Sequence, residues 1–191
     1  MTDRKSWGKP LSALLGALKM QVEFGLPSIG GKDSMSGTFE NINVPPMLMA
    51  FGITTVDAGQ VISPELKYEG NKLYLIKHTP LANHMPDVEQ LKANWNYIYE
   101  QIQAENIVSG YALGFGGLAE AICKMSFGNG LDAKIRYDEK ELFNYAYGSI
   151  LVEAEEELDW PNAILIGEVT DGEESELTIN GKKFDIFELI A

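Results

Sequence analysis

The chain has 191 residues, 45% of them hydrophobic, which is enough to bury a core in one large domain or two small ones. Its formal net charge of −13 at pH 7 excludes the basic surface that binds a nucleic-acid backbone. The single Cys123 excludes an internal disulfide framework, and no apolar run approaches a membrane span. With no charged-then-apolar leader at Met1, we expect a cytoplasmic protein without membrane or nucleic-acid partners.

The first predicted element is an amphipathic helix. Pro10 suits a first helical position, and Gly25 is placed to end the helix. Apolar residues recur between them at helical spacing, at Leu11, Leu14, Leu15, Leu18 and Val22. The helix therefore carries one apolar face.

A polar loop with two adjacent glycines follows the helix at residues 25–37. Gly30 and Gly31 allow positive φ and close approach of another group to the backbone. The charged and hydroxyl side chains after them are Lys32, Asp33, Ser34 and Ser36. An ammonium, a carboxylate and hydroxyls so close together suit a phosphate and its metal, which a net-acidic protein can hold only where it is locally basic or metal-bridged.

Two other interpretations of this loop were weighed. A Walker A motif is excluded, because Gly25 and Gly31 are one residue too far apart and Asp33 stands where the hydroxyl should be. A plain polar turn between helix and strand stays open, since Gly, Ser and Asp are ordinary loop formers.

The apolar run Met47–Val56 predicts a strand buried on both faces in the centre of a sheet. Only one helix and a few loop residues precede it, so its neighbouring strands are not supplied here. We therefore expect the end of a sheet domain, in a fragment of a longer protein. An open edge or face would favour self-association of such a fragment.

A polar stretch between Asp57 and Asn71 predicts the domain boundary. Residues 1–61 would end the first domain, residues 62–69 would form a linker, and residues 70–191 would form a second domain. Predicted strands lie at 73–76, 131–136, 148–154 and 163–166, predicted helices at 87–102, 118–127 and 139–147, and a hairpin around Asn180-Gly181. This alternation indicates an α/β or α+β fold.

The helix at 87–102 is predicted to begin with a capping box of Asp87 and Gln90. Its aromatic residues, Trp95, Tyr97 and Tyr99, could form a base-stacking platform, but their helical spacing favours packing.

The glycine-rich turn Ser109–Gly117 precedes the helix at 118–127. A helix N-terminus behind glycines can hold an anion through free backbone N–H groups. The same glycines also let a helix pack closely on a sheet, and both interpretations stay open.

Side chains for nucleophilic or zinc chemistry are sparse. Cys123 falls within a predicted helix, where a buried structural thiol is expected instead of a nucleophile. His78 and His84, with one distant cysteine, form no recognisable zinc site. We therefore expect no glutaminase activity in this chain.

Five stretches resemble the large phosphoribosylformylglycinamidine synthases, which are glutamine-dependent amidotransferases of purine biosynthesis. They are Trp7–Lys19, Ile29–Gly37, Gly116–Gly128, Leu142–Gly148 and Ile166–Val169. The second, with Gly-Gly-Lys-Asp-Ser-Met, is the most specific, whereas the later ones are shared with the aminoimidazole-ribotide-synthetase superfamily.

This resemblance implies the end of the second amino-terminal synthetase domain and the second carboxy-terminal α/β domain. The family uses ATP and Mg²⁺ to activate formylglycinamide ribonucleotide, then replaces the formamide oxygen by ammonia from a glutaminase domain. The residues it assigns here are Gly30 and Gly31 to ATP, Lys32 and Asp33 to catalysis, and Ser34 and Ser36 to substrate. Without its partner synthetase and glutaminase domains, the isolated chain is expected to be inactive.

The chain departs from the family's pattern at three places. Lys32 cannot ligate magnesium and would instead neutralise phosphate directly. Relatives carry Asp-Arg-Ser-Asp-Gly-Gly where this chain has Ala112–Gly117, and Asn-Glu-Glu where it has Asn144–Ala146. The side chains of an auxiliary nucleotide site are therefore lacking. Two further hypotheses are a degenerate, structural half without ligand contacts, and another superfamily member such as aminoimidazole ribotide synthetase or selenophosphate synthetase.

Overall fold

The computed structural model of the chain divides into two compact units, Met1–Val56 and Asp57–Ala191. The residues that it describes are 4–34, 38–45, 47–172 and 175–190. No helix among them is long and apolar enough to cross a membrane.

The first unit contains one long helix and two short pairs of strands. These elements are α1 (Arg4–Phe24), β1 (Gly30–Ser34), β2 (Thr38–Phe39), β3 (Ile42–Asn43) and β4 (Met47–Phe51). Gly25, at φ 64°, ends α1 as predicted. Pro10 lies inside the helix, so its predicted place at the first position is wrong. Pro10 has no N–H, so α1 lacks one hydrogen bond at this position, and the turn before Pro10 is helical despite that loss.

The apolar surfaces of the first unit are open. Strand β4 ends at Phe51, not at Val56, and all five of its residues are exposed. It pairs with β1 and with no other described strand. The apolar residues predicted on α1 are each more than half exposed. The prediction of a central strand buried on both faces is therefore wrong, because β4 has one strand partner and its contacts with α1 leave all five residues exposed.

The second unit is built on one mixed sheet of seven strands, in the order β11-β10-β7-β9-β5-β8-β6. The strands are β5 (Lys72–Ile76), β6 (Ile107–Ala112), β7 (Asp132–Ile135), β8 (Ile150–Ala154), β9 (Ala163–Thr170), β10 (Glu176–Ile179) and β11 (Lys182–Asp185). The helices are α2 (Val88–Gln103), α3 (Gly117–Phe127) and α4 (Ile186–Ile190). Only the pair of β7 and β10 is parallel among these strands. The predicted α/β (α+β) class is confirmed.

Alternate residues of the central strand β5 pack on opposite sides of the sheet. Leu73 and Leu75 belong to the apolar cluster that contains α3. Tyr74 and Ile76 belong to the second cluster, which contains Ile98 of α2. The period of two along a strand thus gives one helix to each face.

The predicted linker, residues 62–69, belongs to the second unit and packs against its sheet and α3. Leu66 is fully buried, and its N–H donates to the Met125 carbonyl at 2.9 Å. The fully buried Glu153 accepts hydrogen bonds from the Lys67 and Tyr68 N–H groups at 2.8 and 3.0 Å, from Asn71 Nδ2 at 2.8 Å and from Ser109 Oγ at 2.9 Å. This carboxylate fastens the segment to the sheet, while the predicted domain limits stay a prediction.

Helix α2 begins with half of the predicted capping box. The Gln90 N–H donates to Asp87 Oδ1 at 3.0 Å. The Asp87 N–H, however, donates to His78 Nε2 at 3.1 Å, and the Gln90 side chain accepts from the Thr79 N–H at 2.7 Å. The reciprocal bond, from the Asp87 N–H to the Gln90 side chain, does not form because the N–H bonds to His78 and the side-chain oxygen of Gln90 bonds to Thr79.

Two of the three aromatic residues of α2, Trp95 and Tyr97, serve packing as predicted, whereas Tyr99 is 57% exposed. Tyr97 stacks on Trp160 with ring centroids 4.6 Å apart. Trp95 Nε1 donates to the Gly148 carbonyl at 3.1 Å, which ties α2 to the loop before β8.

The helix predicted at 139–147 is replaced by successive turns. The Glu141 N–H donates to the Asp138 carbonyl and the Asn144 N–H to the Glu141 carbonyl. The Leu142 carbonyl, which a helix would use internally, accepts instead from the Ala119 N–H of α3 at 2.9 Å. Packing against α3 overrides the local propensity.

The predicted hairpin is confirmed at Asn180 and Gly181, which take φ of 52° and 82° between β10 and β11. Helix α4, at Ile186–Ile190, was not predicted. Asp185 Oδ1 accepts from the Phe187 and Glu188 N–H groups at 2.7 and 3.2 Å, a cap that the sequence could have signalled.

Candidate functional site

The glycine-lysine-aspartate segment, predicted as a loop, forms strand β1. It pairs residue by residue with β4, with Gly30 opposite Phe51 and Lys32 opposite Met49. The positive φ that Gly30 and Gly31 allow is not used, since neither is among the described residues with positive φ. Antiparallel pairing requires extended backbone here.

The two glycines are not equivalent. A Cβ at Gly31 would collide with the Met49 carbonyl of β4, whereas a Cβ at Gly30 would meet no atom within 4 Å. Close backbone approach is therefore real at Gly31, and the group that approaches is the neighbouring strand. Gly30 leaves open space beside the backbone.

Lys32 and Asp33 are both exposed and are consecutive in β1. Successive side chains of a strand point to opposite faces, so the ammonium and the carboxylate flank the ribbon instead of sharing one side. Lys32 Nζ donates to the Asp33 backbone carbonyl, which leaves two of its N–H donors for a ligand. The side chain of Ser34 and the whole of Ser36 lie outside the described residues.

The second candidate, the turn before α3, is shorter than predicted. Its first four residues belong to strand β6, which pairs with β8. Gly117 takes φ of 64°, and a Cβ there would lie 2.6 Å from the Asn144 carbonyl oxygen. Only glycine lets α3 begin this close to the 142–144 backbone.

The N-terminus of α3 is occupied by the chain's own groups. The Gly116 N–H donates to Glu120 Oε2 at 2.8 Å, and the Gly117 N–H to the Gly114 carbonyl at 3.3 Å. The Ala119 N–H donates to the Leu142 carbonyl at 2.9 Å. These bonds support the packing interpretation over the anion site, because three donors are used and a carboxylate fills the place of the anion.

The carboxylate at this helix start stays ionised. Lys124 Nζ lies 2.6 Å from Glu120 Oε1, and this hydrogen bond, with that from the Gly116 N–H, lowers the pKa of Glu120. Burial raises the pKa of the Cys123 thiol on the same helix. Cys123 is therefore a poor nucleophile, as expected.

The described residues contain no group of three or more His, Cys, Asp or Glu that could hold a metal ion.

Solved structures define the class of this fold. The chain has an aminoimidazole-ribotide-synthetase-like fold, shared with PurL and with the hydrogenase maturation protein HypE. HypE matches at a TM-score of 0.50 and 14% identity, over 70% of this chain and 56% of its own.

Within that class, the fold is that of part of phosphoribosylformylglycinamidine synthase. Synthase II from Thermotoga maritima matches over 90% of this chain and 34% of its own, at a TM-score of 0.62 and 11% identity. PurLQS from Thermotoga maritima matches over 75% and 30%, at 0.61 and 12%. The predicted resemblance is thus confirmed for the fold, in a chain that spans about a third of those chains. Neither a family model nor a curated protein matches the sequence.

Other solved T. maritima PurL structures hold AMPPCP, ATP, ADP or FGAR.

Proposed function

We propose that this chain is part of an ATP-dependent carbon–nitrogen ligase. The reaction joins glutamine-derived ammonia to formylglycinamide ribonucleotide and yields formylglycinamidine ribonucleotide. The observation that carries the proposal is the exposed stretch Gly30–Asp33 of β1 within a chain that has the fold of PurL. PurL complexes with ATP and with FGAR support the two ligands.

Strand β1 offers a free edge to these ligands. One edge pairs with β4, and the other has no partner among the described strands. Successive N–H groups of a strand point to opposite edges, so only one of the Gly30 and Gly31 N–H groups lies on the free edge, where no Cβ intervenes and the group suits a phosphate oxygen. We therefore assign these two glycines to ATP.

Lys32 supplies the charge in this proposal. Its ammonium stabilises phosphate charge on ATP or substrate, and more strongly as charge develops in the transition state. Asp33 lies on the opposite face of the ribbon and acts on a different group from Lys32. Ser34 and Ser36 are assigned to the substrate.

Magnesium does not fit a site made by the described residues alone. Asp33 is a single carboxylate, and an ammonium such as Lys32 cannot ligate a cation. The Mg²⁺ expected of the family would therefore need ligands from outside the described residues.

A structural half without ligands is the second candidate. The observation that favours it is the start of α3, where Glu120 and the Leu142 carbonyl use the N–H groups of the turn. The fold shared with HypE is consistent with a third candidate, another enzyme of the superfamily. Both differ from the leading proposal in what contacts β1.

The partners in the leading proposal are the other synthetase and glutaminase domains of a longer polypeptide. The test is hydrogen exchange on that polypeptide with and without AMPPCP. We expect slower exchange of the Gly30–Lys32 amides when AMPPCP binds, and unchanged exchange in α2 as the internal control. Binding of AMPPCP with no protection of β1 would favour the structural half.

A further inference from the structure

Among the described residues of the second unit, the apolar cluster of α2 covers only half of one sheet face. On the side opposite α3, the apolar cluster of α2 draws its strand residues from β5, β6, β8 and the start of β9, and none from β7 or β10. Leu165 of β9, next to this cluster, is 56% exposed. A cleft of about 480 Å³ is lined by residues of β5, β7, β9 and β10. That volume is within the range of small-molecule sites.

Polar side chains cross the floor of this cleft in one row. Lys72 of β5 is opposite Glu168 of β9, and Glu168 is opposite Lys134 of β7. Lys134 is in turn beside Thr178 of β10. Arg136, two residues after Lys134 along the same strand direction, also lines the cleft. The row is a product of register, not of neighbouring sequence.

The cleft is locally basic in an acidic chain. Lys72 Nζ is paired with Glu168 Oε2 at 2.8 Å. Lys134 and Arg136 make no ion pair with any described residue, and the cleft is lined by three cations and one carboxylate. At physiological ionic strength the Debye length is about 8 Å, so more distant charges are largely screened. The adjoining cleft, which shares Lys134 and Thr178, is lined by carboxylates, so the basic character is confined to the side of the row where Lys72 and Arg136 lie; these carboxylates are Glu69, Asp132, Asp171 and Glu176.

Solvated sheet faces also carry lysines, but pairing of opposite charges satisfies them. Glu168 interacts electrostatically with Lys134, but it is already ion-paired with Lys72, so the positive charges of Lys134 and Arg136 exceed the one carboxylate beside them. An ammonium, a guanidinium and the Thr178 hydroxyl are the donors that recognise phosphate oxygens. Gly167 and Gly181 expose backbone in the same cleft.

We propose that this cleft binds the phosphate group of a phosphorylated small molecule through Lys134, Arg136 and Thr178. The site lies wholly within the second unit and does not rest on the function proposed for β1. An acidic polypeptide segment is the competing occupant, and the small volume of the cleft favours the small molecule.

The test is titration of the ¹⁵N-labelled chain with pyrophosphate and with ribose 5-phosphate, followed by amide chemical shifts. We expect saturable shifts at Gly167, Thr178 and Gly181, with a Kd on the order of 1 mM or tighter that weakens as NaCl is added. Lys134→Ser with Arg136→Ser should weaken binding at least about tenfold.

The matched control is Lys92→Ser with Lys140→Ser, which removes the same charge from residues that do not line the cleft. This control should change the affinity by less than about twofold. Absent or non-saturable shifts, equal weakening in both double variants, or tighter binding of a poly-glutamate peptide than of either phosphate would overturn the proposal.

Discussion

Replacing the buried Glu153 by alanine should loosen residues 62–69 of the second unit. The carboxylate is fully buried and accepts four hydrogen bonds of 2.8 to 3.0 Å, two of them from the backbone of Lys67 and Tyr68. The four bonds share one carboxylate, so their contributions do not add, and the loss is set by the donors left without an acceptor, at about 1–3 kcal/mol for each that water cannot reach. Tyr68 is more than half exposed, so water recovers part of the loss.

We therefore expect Glu153→Ala to lower the free energy of unfolding of the second unit by about 3 kcal/mol, from a typical total of about 5–15 kcal/mol. Urea titration followed by the fluorescence of Trp95 and Trp160, which both belong to this unit, measures the loss. Glu157→Ala, at an exposed position nearby, is the control and should cost less than about 0.5 kcal/mol. Equal losses in the two variants would refute the role given to Glu153.

Three further predictions concern the ribbon, an acidic residue and assembly. Gly31→Ala should disrupt the pairing of β1 and β4, because its Cβ would meet the Met49 carbonyl, whereas Gly30→Ala should keep the pairing. Cross-strand NOEs measure the pairing in each variant, and equal behaviour of the two variants would contradict the register. Burial raises the pKa of Asp132, so the native state binds its proton more tightly, and stability should fall as pH rises from the unfolded-state value through the raised native pKa. Asp132→Asn should therefore be more stable than the wild type at pH 7 and lose that advantage at about pH 3. Urea midpoints of both proteins at the two pH values measure the difference, and an equal difference at both would contradict the prediction. The exposed apolar faces of α1 and β4 should drive self-association of the chain, and a compact monomer in sedimentation at high concentration would count against it.

The sequence predicted the second unit better than the first because periodicity reports burial. Strands β5 and β8 and helix α2 show their apolar periods and are buried as expected. The run at Met47–Val56 shows the same signal, yet β4 is exposed. Periodicity states which residues can be buried, and it does not state whether a covering segment is present.

Local signals failed where tertiary bonds took the relevant groups. The helix expected at 139–147 yields because the Leu142 carbonyl bonds to α3. The loop expected at Gly30–Ser34 is a strand because β4 pairs with it, which no spacing within the segment reveals. Spacing along the chain also does not predict the polar row of Lys72, Lys134 and Thr178, because only sheet register brings these residues together.

The resemblance gave the fold, and the residues of the candidate site remain a prediction. Identities of 10–14% with the PurL and HypE structures carry the fold alone. What the structure adds is the geometry of β1, which sets Lys32 and Asp33 on opposite faces.

The most direct test of the central claim is the steady-state kinetics of Lys32→Ala in the full-length polypeptide. The proposal predicts a loss of turnover of about 100-fold, the scale for removing one electrostatic stabiliser, with the fold intact because Lys32 is exposed. Lys9→Ala, an exposed lysine on α1, should leave turnover unchanged, and Ser34→Ala should mainly raise the substrate KM. The isolated chain, given ATP, magnesium, ammonia and formylglycinamide ribonucleotide, should show no turnover. Wild-type kinetics in both Lys32→Ala and Ser34→Ala, or turnover by the isolated chain, would contradict the account.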